Sequence, residues 1–483
     1  IDVAQVASSK VEVMWLPGLP KCRPEAVGLD SDALAKHSRA NQSHIDAGLS
    51  TGVAECAIKD NRLVYVDIRG KQDVEFRQPM TARTLHRCYS MTKPITAFGL
   101  LVLWEDGKLK LDDPVEKYIP EFKQMKVARG DGLVKARRPI TLRHLVTHTS
   151  GLAYGPSRDD RSHHLKQSRN PIKQQYTNLV KRVDSGEVSS LADLCRELAK
   201  QPLQFEPGQG WEYSYGMDVI GRVLEVVSGM PLDLFLEKHV LLPIGMRDTA
   251  FFIHPRKARR QLAAFYNVKK RFRRIRCDGR RPEQSAWVKG RVARIFGGGG
   301  PVSSCDGGLL SSLRDQALFA NTIANMGFAH ATKRQVLQPA TVRAGCRDWL
   351  RLKSVTSRRR LNGWHDPYVE EKQMGWSPLG IREGDFLYMG GIGSWSVNLR
   401  SKLVTVQFPN SSWEEKQYPQ WKDEVDDLES AVKRAVTDFR MKGSSTKQKS
   451  HQLKRARGDC ASSTSSTTAS SSSTKAQKKQ KTS

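Results

Sequence analysis

Residues 85–111 read LHRCYSMTKPITAFGLLVLWEDGKLKL: a serine and a lysine three positions apart, a proline, and then an apolar run. On a helix, positions i and i+3 share a face, so the Lys93 amine can reach the Ser90 hydroxyl. A serine in the first turn also sits near the positive end of the helix dipole and near free backbone N–H groups, which favours a developing anion. A hydroxyl is a poor nucleophile until a neighbouring base takes its proton, and a desolvated lysine can serve if its pKa falls. Taken alone, Ser90-Met91-Thr92-Lys93 is a weak signal, better read as a helix N-cap and a surface lysine.

Working outward, the periodicity predicts a helix from about Ser90 to Glu105, and others over 187–201, 217–229 and 312–326. Ala54–Lys59 and Leu63–Ile68 are strand-like runs about Asp60-Asn61, which reads as a hairpin. Ser394–Leu399 and Leu403–Phe408 are strand-like late in the chain. Strands at both ends with helices between predict one mixed sheet closed by the two ends, with an inserted helical region. Val425, Leu428, Val432, Ala435 and Phe439 form the stripe of a C-terminal amphipathic helix. From Gly443 onward the chain is mostly Ser, Thr, Lys and Gln, too poor in apolar area to offset its ordering entropy, and is expected to be disordered. The expected organisation is an N-terminal extension (1–26), a single domain (27–440) and a basic tail (441–483).

The chain has 483 residues, enough for a large core, and its mean hydropathy is −0.53. No apolar run approaches the roughly 18 residues of a spanning helix. Eight cysteines are scattered without C-x-x-C pairs, which argues against a disulfide framework or zinc ribbon and suits a reducing compartment. A cytoplasmic location is therefore expected, with nuclear import through Lys454-Arg455-Ala456-Arg457 and Lys478-Lys479-Gln480-Lys481 as an alternative. The sequence opens on Ile1, so a preceding targeting peptide is not assessable from it. The net charge of +29 sits in two patches. Residues 441–483 carry ten Lys/Arg and one Asp, and residues 256–294 carry fifteen Lys/Arg and two acids.

The stretch 85–111 and DDPVEKYIPEF at 112–122 resemble the serine β-lactamase-like family, which includes class C β-lactamases, low-molecular-weight penicillin-binding proteins and family VIII carboxylesterases. The resemblance continues through LVTHTSGL (145–152), EPGQGWEYSYGMDVIGRVLEVVSG (206–229), LPIGMRDTAFF (242–252) and MGGIGSWSVNL (389–399), in family order over roughly 27–440. It implies an α+β fold of the β-lactamase/transpeptidase kind, an antiparallel sheet flanked by helices with a mostly helical subdomain beside it. It also implies Ser90 as nucleophile, Lys93 as its base or base partner, and Tyr213 as a sharer of the proton-shuttle role. Met389-Gly390-Gly391 stands at the family's substrate-strand triplet, and the N–H of Ile392 with that of Ser90 is implied as the oxyanion hole. His148 is implied to organise a turn beneath the site. No metal or organic cofactor is called for.

Two departures matter. Position 389 is Met where penicillin-recognising members keep Lys or His, which removes a partner for a β-lactam carboxylate. Position 215, expected in the substrate pocket, is Tyr where β-lactamases have Asn. Both resemble the carboxylesterase branch, so the expected activity is cleavage of small carboxylic esters through an acyl-enzyme, with weak β-lactam hydrolysis compatible with it. A catalytically silent domain used for binding or assembly is the alternative. A third reading is nucleic-acid contact: Phe265, Tyr266, Phe272 and Trp287 are interleaved with the cations of 256–294, a composition that can stack bases unless the aromatics pack on the body. His163-His164 lack a third ligand at metal spacing, and Gly297–Gly300 lacks the Lys-Ser/Thr of a phosphate loop.

Overall fold

The computed structural model describes residues 18–129, 132–154, 171–269, 273–276, 308–350, 375–391, 393–412, 428 and 430–436. Its centre is an eight-stranded sheet built from both ends of the chain. The early strands are β1 (Gly52–Lys59), β2 (Arg62–Asp73) and β3 (Gln78–Pro79). Outside this sheet, β4 (Leu85–Arg87) pairs with β5 (Leu310–Ser312). The late strands are β6 (Gly375–Ser377), β7 (Gly380–Glu383), β8 (Phe386–Gly390), β9 (Ser394–Asn398) and β10 (Leu403–Pro409). The order is β6-β7-β8-β9-β10-β1-β2-β3.

The two ends meet where β1 lies against β10, Ala54 facing Phe408 and Ile58 facing Val404. Every pairing within the sheet is antiparallel, as the family resemblance implied, which corrects the mixed sheet expected from strand placement alone. Consecutive strands here are joined by tight turns, and only parallel neighbours need long crossovers. The β1–β2 turn is the predicted one: Asp60 and Asn61 have φ of 50° and 60°, the left-handed conformation that these residues tolerate and a two-residue hairpin demands. Strand β9 stops at Asn398, one residue short of the expected end, where its Oδ1 accepts from the N–H groups of Arg400 (3.1 Å) and Ser401 (2.8 Å) and turns the chain.

Seven helices matter for the site: α1 (Ser31–Asp46), α2 (Thr92–Glu105), α3 (Leu142–Val146), α4 (Pro171–Asp184), α5 (Leu191–Ala199), α6 (Gly216–Ser228) and α7 (Leu313–Ala324). The starts of α5 and α7 follow from Ser190 and Ser312, whose side chains accept from the backbone of Asp193 and Asp315 three residues on. Gly229, at φ +69°, ends α6. Helix α2 begins later than its periodicity predicts. Tyr89–Met91 form a 3-10 turn and the α-helix starts at Thr92, while the left-handed Tyr89 (φ 45°) bars any helical extension before Ser90. Helix α4 and the β4–β5 pair carry no periodicity that predicted them.

The main core joins α2, α6 and α7 to one face of the sheet, with Phe98, Phe235, Phe319 and Trp395 fully buried. On the other face α1 packs with Leu428, Val432 and Ala435 of the C-terminal helix over Val64 and Leu403. That confirms the middle of the predicted stripe, while Val425 and Phe439 lie outside the described residues. So do the tail, Phe272, Trp287, His163-His164 and Gly297–Gly300. Of the aromatics in the basic segment, Tyr266 packs on the body: its hydroxyl accepts from the Val74 N–H (3.1 Å) and meets the Asp73 carboxylate (3.3 Å). Among the described residues no helix is long and apolar enough to cross a membrane.

Candidate active site

The backbone before Ser90 is held on both sides. The Cys88 N–H donates to Leu309 O (2.9 Å), and the Leu309 N–H donates to Thr92 Oγ1 (3.0 Å), so the β4–β5 pair clamps the turn that carries Ser90. Tyr89, at φ 45°, sits in a conformation that an L residue with a bulky side chain adopts only at a cost of about 1–3 kcal/mol.

Lys93 is one turn along and only 3% exposed. Its ammonium donates to Ser90 Oγ at 3.1 Å. Tyr213 arrives from the loop ahead of α6, 123 positions away in sequence, and its hydroxyl donates to the same oxygen at 2.7 Å. Two side chains from distant segments thus converge on the Ser90 oxygen. Lys93 Nζ also lies 4.5 Å from the centre of the Tyr213 ring and 5.8 Å from that of Tyr154, within range of a cation–π attraction that stabilises a buried charge.

His148 positions Tyr213. It is fully buried with φ 57°, its carbonyl accepts from the Glu212 N–H (2.9 Å), and its Nδ1 accepts from the Ser214 N–H (3.2 Å), so both neighbours of Tyr213 are tied to one residue. Its ring lies 4.6 Å from the Tyr213 ring and 4.7 Å from Trp376. Burial, and then the Lys93 charge, push its pKa well below the usual histidine value. The ring is therefore neutral, as an Nδ1 that accepts from a backbone N–H requires. Trp211 and Trp376 complete the aromatic wall, and the Trp376 indole donates to Val146 O (2.9 Å), fixing β6 to the end of α3.

The third motif stands where β8 ends. Met389 pairs with Trp395 and is 3% exposed, its side chain in the main core. Gly390 pairs with Ser394. Gly391 abuts the turn that carries Ser90 so closely that a Cβ on it would meet Cys88 O at 2.4 Å. Ile392 lies outside the described residues. Tyr215, expected in the substrate pocket, is fully buried, with its ring against Tyr154 at 4.5 Å. The asparagine of the family pattern is short and polar, whereas a phenol ring here is drawn into apolar packing ahead of α6.

Tyr154, Trp211 and Trp376 were not singled out by the motifs. Trp211 stands two residues before Tyr213, and Tyr154 two after the LVTHTSGL run, so proximity to a motif was the available signal. Trp376 had none. Among the described residues no group of three His, Cys, Asp or Glu is disposed to hold a metal ion.

Known proteins resemble this chain in sequence and in fold. Residues 41–424 match the family model described as Beta-lactamase. An uncharacterised protein of Mycobacterium tuberculosis is 32% identical over 305 residues, which cover 62% of this chain and 68% of that protein. Esterase EstB of Burkholderia gladioli is 35% identical over 235 residues, 47% of this chain and 54% of the esterase. Among solved structures, EstCE1, described as a hydrolase with promiscuous acyltransferase activity, superposes with a TM-score of 0.61 at 25% identity, covering 82% of this chain and 98% of that one.

Proposed function

This chain belongs to the beta-lactamase family of serine hydrolases, and from that premise we propose that it cleaves small carboxylic esters through an acyl-enzyme formed on Ser90. The observation that carries the reading is the double hydrogen bond to Ser90 Oγ from Lys93 (3.1 Å) and Tyr213 (2.7 Å) in a site walled by aromatic rings. In this mechanism the reactive form of the Lys93/Tyr213 pair carries one proton fewer, so that the Tyr213 oxygen or the Lys93 amine is free to accept, and Ser90 Oγ attacks the ester carbonyl while its proton passes into the pair. The pair returns the proton to the departing alkoxide, and a water activated by the same pair then releases the acid. Negative charge on the tetrahedral oxygen is held by the backbone N–H groups of Ser90 and Ile392, for which the close approach of Gly391 to Cys88 gives support.

A neutral ester is favoured over a penicillin by the methionine at 389, which offers no cation to a substrate carboxylate. An aromatic wall made of Tyr154, Trp211 and Trp376 suits an apolar acyl or alcohol group. The similarity to esterase EstB points the same way.

The test is hydrolysis of short-chain p-nitrophenyl esters beside a chromogenic cephalosporin, by the protein and its Ser90→Ala variant. Ester turnover that vanishes with Ser90, with little cephalosporin turnover, is the expected result. Turnover of neither would transfer the reading to a silent, binding domain.

A further inference from the structure

We infer that Thr92, which the mechanism leaves unused, is a positioning residue for Ser90: its hydroxyl ties the reactive turn to a strand that the rest of the fold holds in place. The inference rests on the reading of Ser90 as the nucleophile. A single residue, Leu309, makes the tie. Its carbonyl accepts from the Cys88 N–H (2.9 Å), and its own N–H donates to Thr92 Oγ1 (3.0 Å). Cys88 and Thr92 stand two residues before and two after Ser90. Both flanks of the reactive side chain are thus held by one residue 217 positions from Thr92.

Leu309 is a fixed reference because the strand that follows it is anchored without Thr92. Leu310 exchanges two backbone hydrogen bonds with Ala250 (2.9 and 3.1 Å) and stands opposite Arg87 in the β4–β5 pair. Ser311 Oγ lies 2.7 Å from Thr249 Oγ1, which donates to the fully buried Asp315 carboxylate at 2.9 Å. The Asp248 N–H (2.6 Å) and the Arg314 guanidinium (2.7 Å) donate to the same carboxylate. A chain of hydrogen bonds therefore pins β5 to the start of α7, and Thr92 passes the position of β5 on to Ser90.

The turn needs such a hold. A left-handed Tyr89 (φ 45°) persists only where its surroundings over-determine it. Thr92 and Leu309 are both fully buried, so removing the hydroxyl leaves the Leu309 N–H buried without its acceptor, and the turn is driven to rearrange. Two parts of the site ride on this turn. Ser90 Oγ accepts from Lys93 at 3.1 Å and from Tyr213 at 2.7 Å, and Gly391 at the end of β8 packs on Cys88 O. A displacement of about 1 Å disturbs both together, and a misplacement of that size costs on the order of 10² in rate.

The experiment compares Thr92→Val, which keeps the shape and removes the oxygen, with Thr92→Ser, which keeps the oxygen. Hydrolysis of a p-nitrophenyl ester and the rate of labelling by a fluorophosphonate probe are followed well below each variant's thermal midpoint. Thr92→Val should lower kcat and the labelling rate by about 10–10² with KM nearly unchanged, and Thr92→Ser should restore both to within about threefold of the parent. Val432→Ala, which opens a cavity on the other face of the sheet, sets the pattern for lost stability alone: a lower midpoint at the parent's kcat. That pattern in Thr92→Val would overturn the inference, as would a Thr92→Ser variant as slow as Thr92→Val. Should Thr92→Val not fold, Thr92→Ala decides by the same comparison. The two readings fail separately. Parent turnover and labelling that survive Ser90→Ala refute the acyl-enzyme on Ser90, whereas Ser90-dependent turnover with Thr92→Val at full rate refutes only the role of Thr92.

Discussion

Replacing Tyr213 by Phe removes one oxygen atom and little else, which makes it the sharpest probe of the site. The ring keeps its neighbours, His148 at 4.6 Å, Trp376 at 5.8 Å and Tyr154 at 5.7 Å. What is lost is the 2.7 Å hydrogen bond to Ser90 Oγ and the proton path through it. The stability effect is that of a single partly buried hydrogen bond, about 1 kcal/mol. The catalytic effect is that of one general acid–base group, about 10²–10⁴ in rate, equivalent to roughly 3–5 kcal/mol of barrier. The two differ enough to be separated in one protein preparation. Steady-state hydrolysis of a p-nitrophenyl ester should show kcat reduced by that factor and KM nearly unchanged, since the hydroxyl touches the nucleophile. The thermal midpoint should move by only a few degrees. A kcat within about threefold of the parent, in a variant that is folded, would refute the proton-transfer role; that margin is far below the range expected for such a group.

Other perturbations test the surrounding physics. Lys93→Met keeps the volume of a buried side chain while removing its charge; turnover should fall by at least about 10³, yet the urea midpoint should stay level or rise, because a buried ammonium is expensive to keep. Gly391→Ala places a methyl group 2.4 Å from Cys88 O, so β8 or the Ser90 turn must shift, and acylation by a fluorophosphonate probe should slow by about 10² or more. Stability should also depend on pH through the buried histidines. Burial and then Arg87 lower His86 to about 3, burial and then Arg138 lower His144 to about 4, and His148 lies well below the usual value. Each is neutral in the folded chain and takes a proton on unfolding below about pH 6.5. Their contribution is thus complete above that pH and is lost as pH falls, by up to about 1.4 kcal/mol per unit for each fully buried ring. Asp315, raised by burial to about 6, acts in the opposite sense. Urea midpoints should therefore drop from pH 7 to pH 5, and His86→Gln should flatten the slope; a flat profile in the parent would count against the buried neutral rings.

Local order in this protein is written in local sequence. The β1–β2 hairpin follows from Asp60-Asn61, which accept the left-handed turn between two apolar runs, and α5, α6 and α7 follow from a serine cap, a glycine stop and a 3.6-residue stripe. The Ser90–Lys93 contact is of the same kind, since three residues of helical or 3-10 chain bring the two side chains together without help from elsewhere. The left-handed Tyr89 is not legible in this way. It is held by the β4–β5 pair, whose partner strand lies more than two hundred residues downstream, and no periodicity reports such a clamp.

The same limit applies to the ring wall. Trp211 and Tyr213 are adjacent in sequence to a motif, but that His148 binds both neighbours of Tyr213, that Trp376 closes the wall from β6, and that Tyr215 is drawn inward against Tyr154 are results of packing between distant segments. By itself the sequence determined many of the local elements, the order of the motifs and the spacing that brings Ser90 and Lys93 together, because these depend on neighbours within a few residues. Only the tertiary structure decided that Tyr213 reaches Ser90 at 2.7 Å and which rings surround them, because those distances depend on how the sheet and helices close over one shared core.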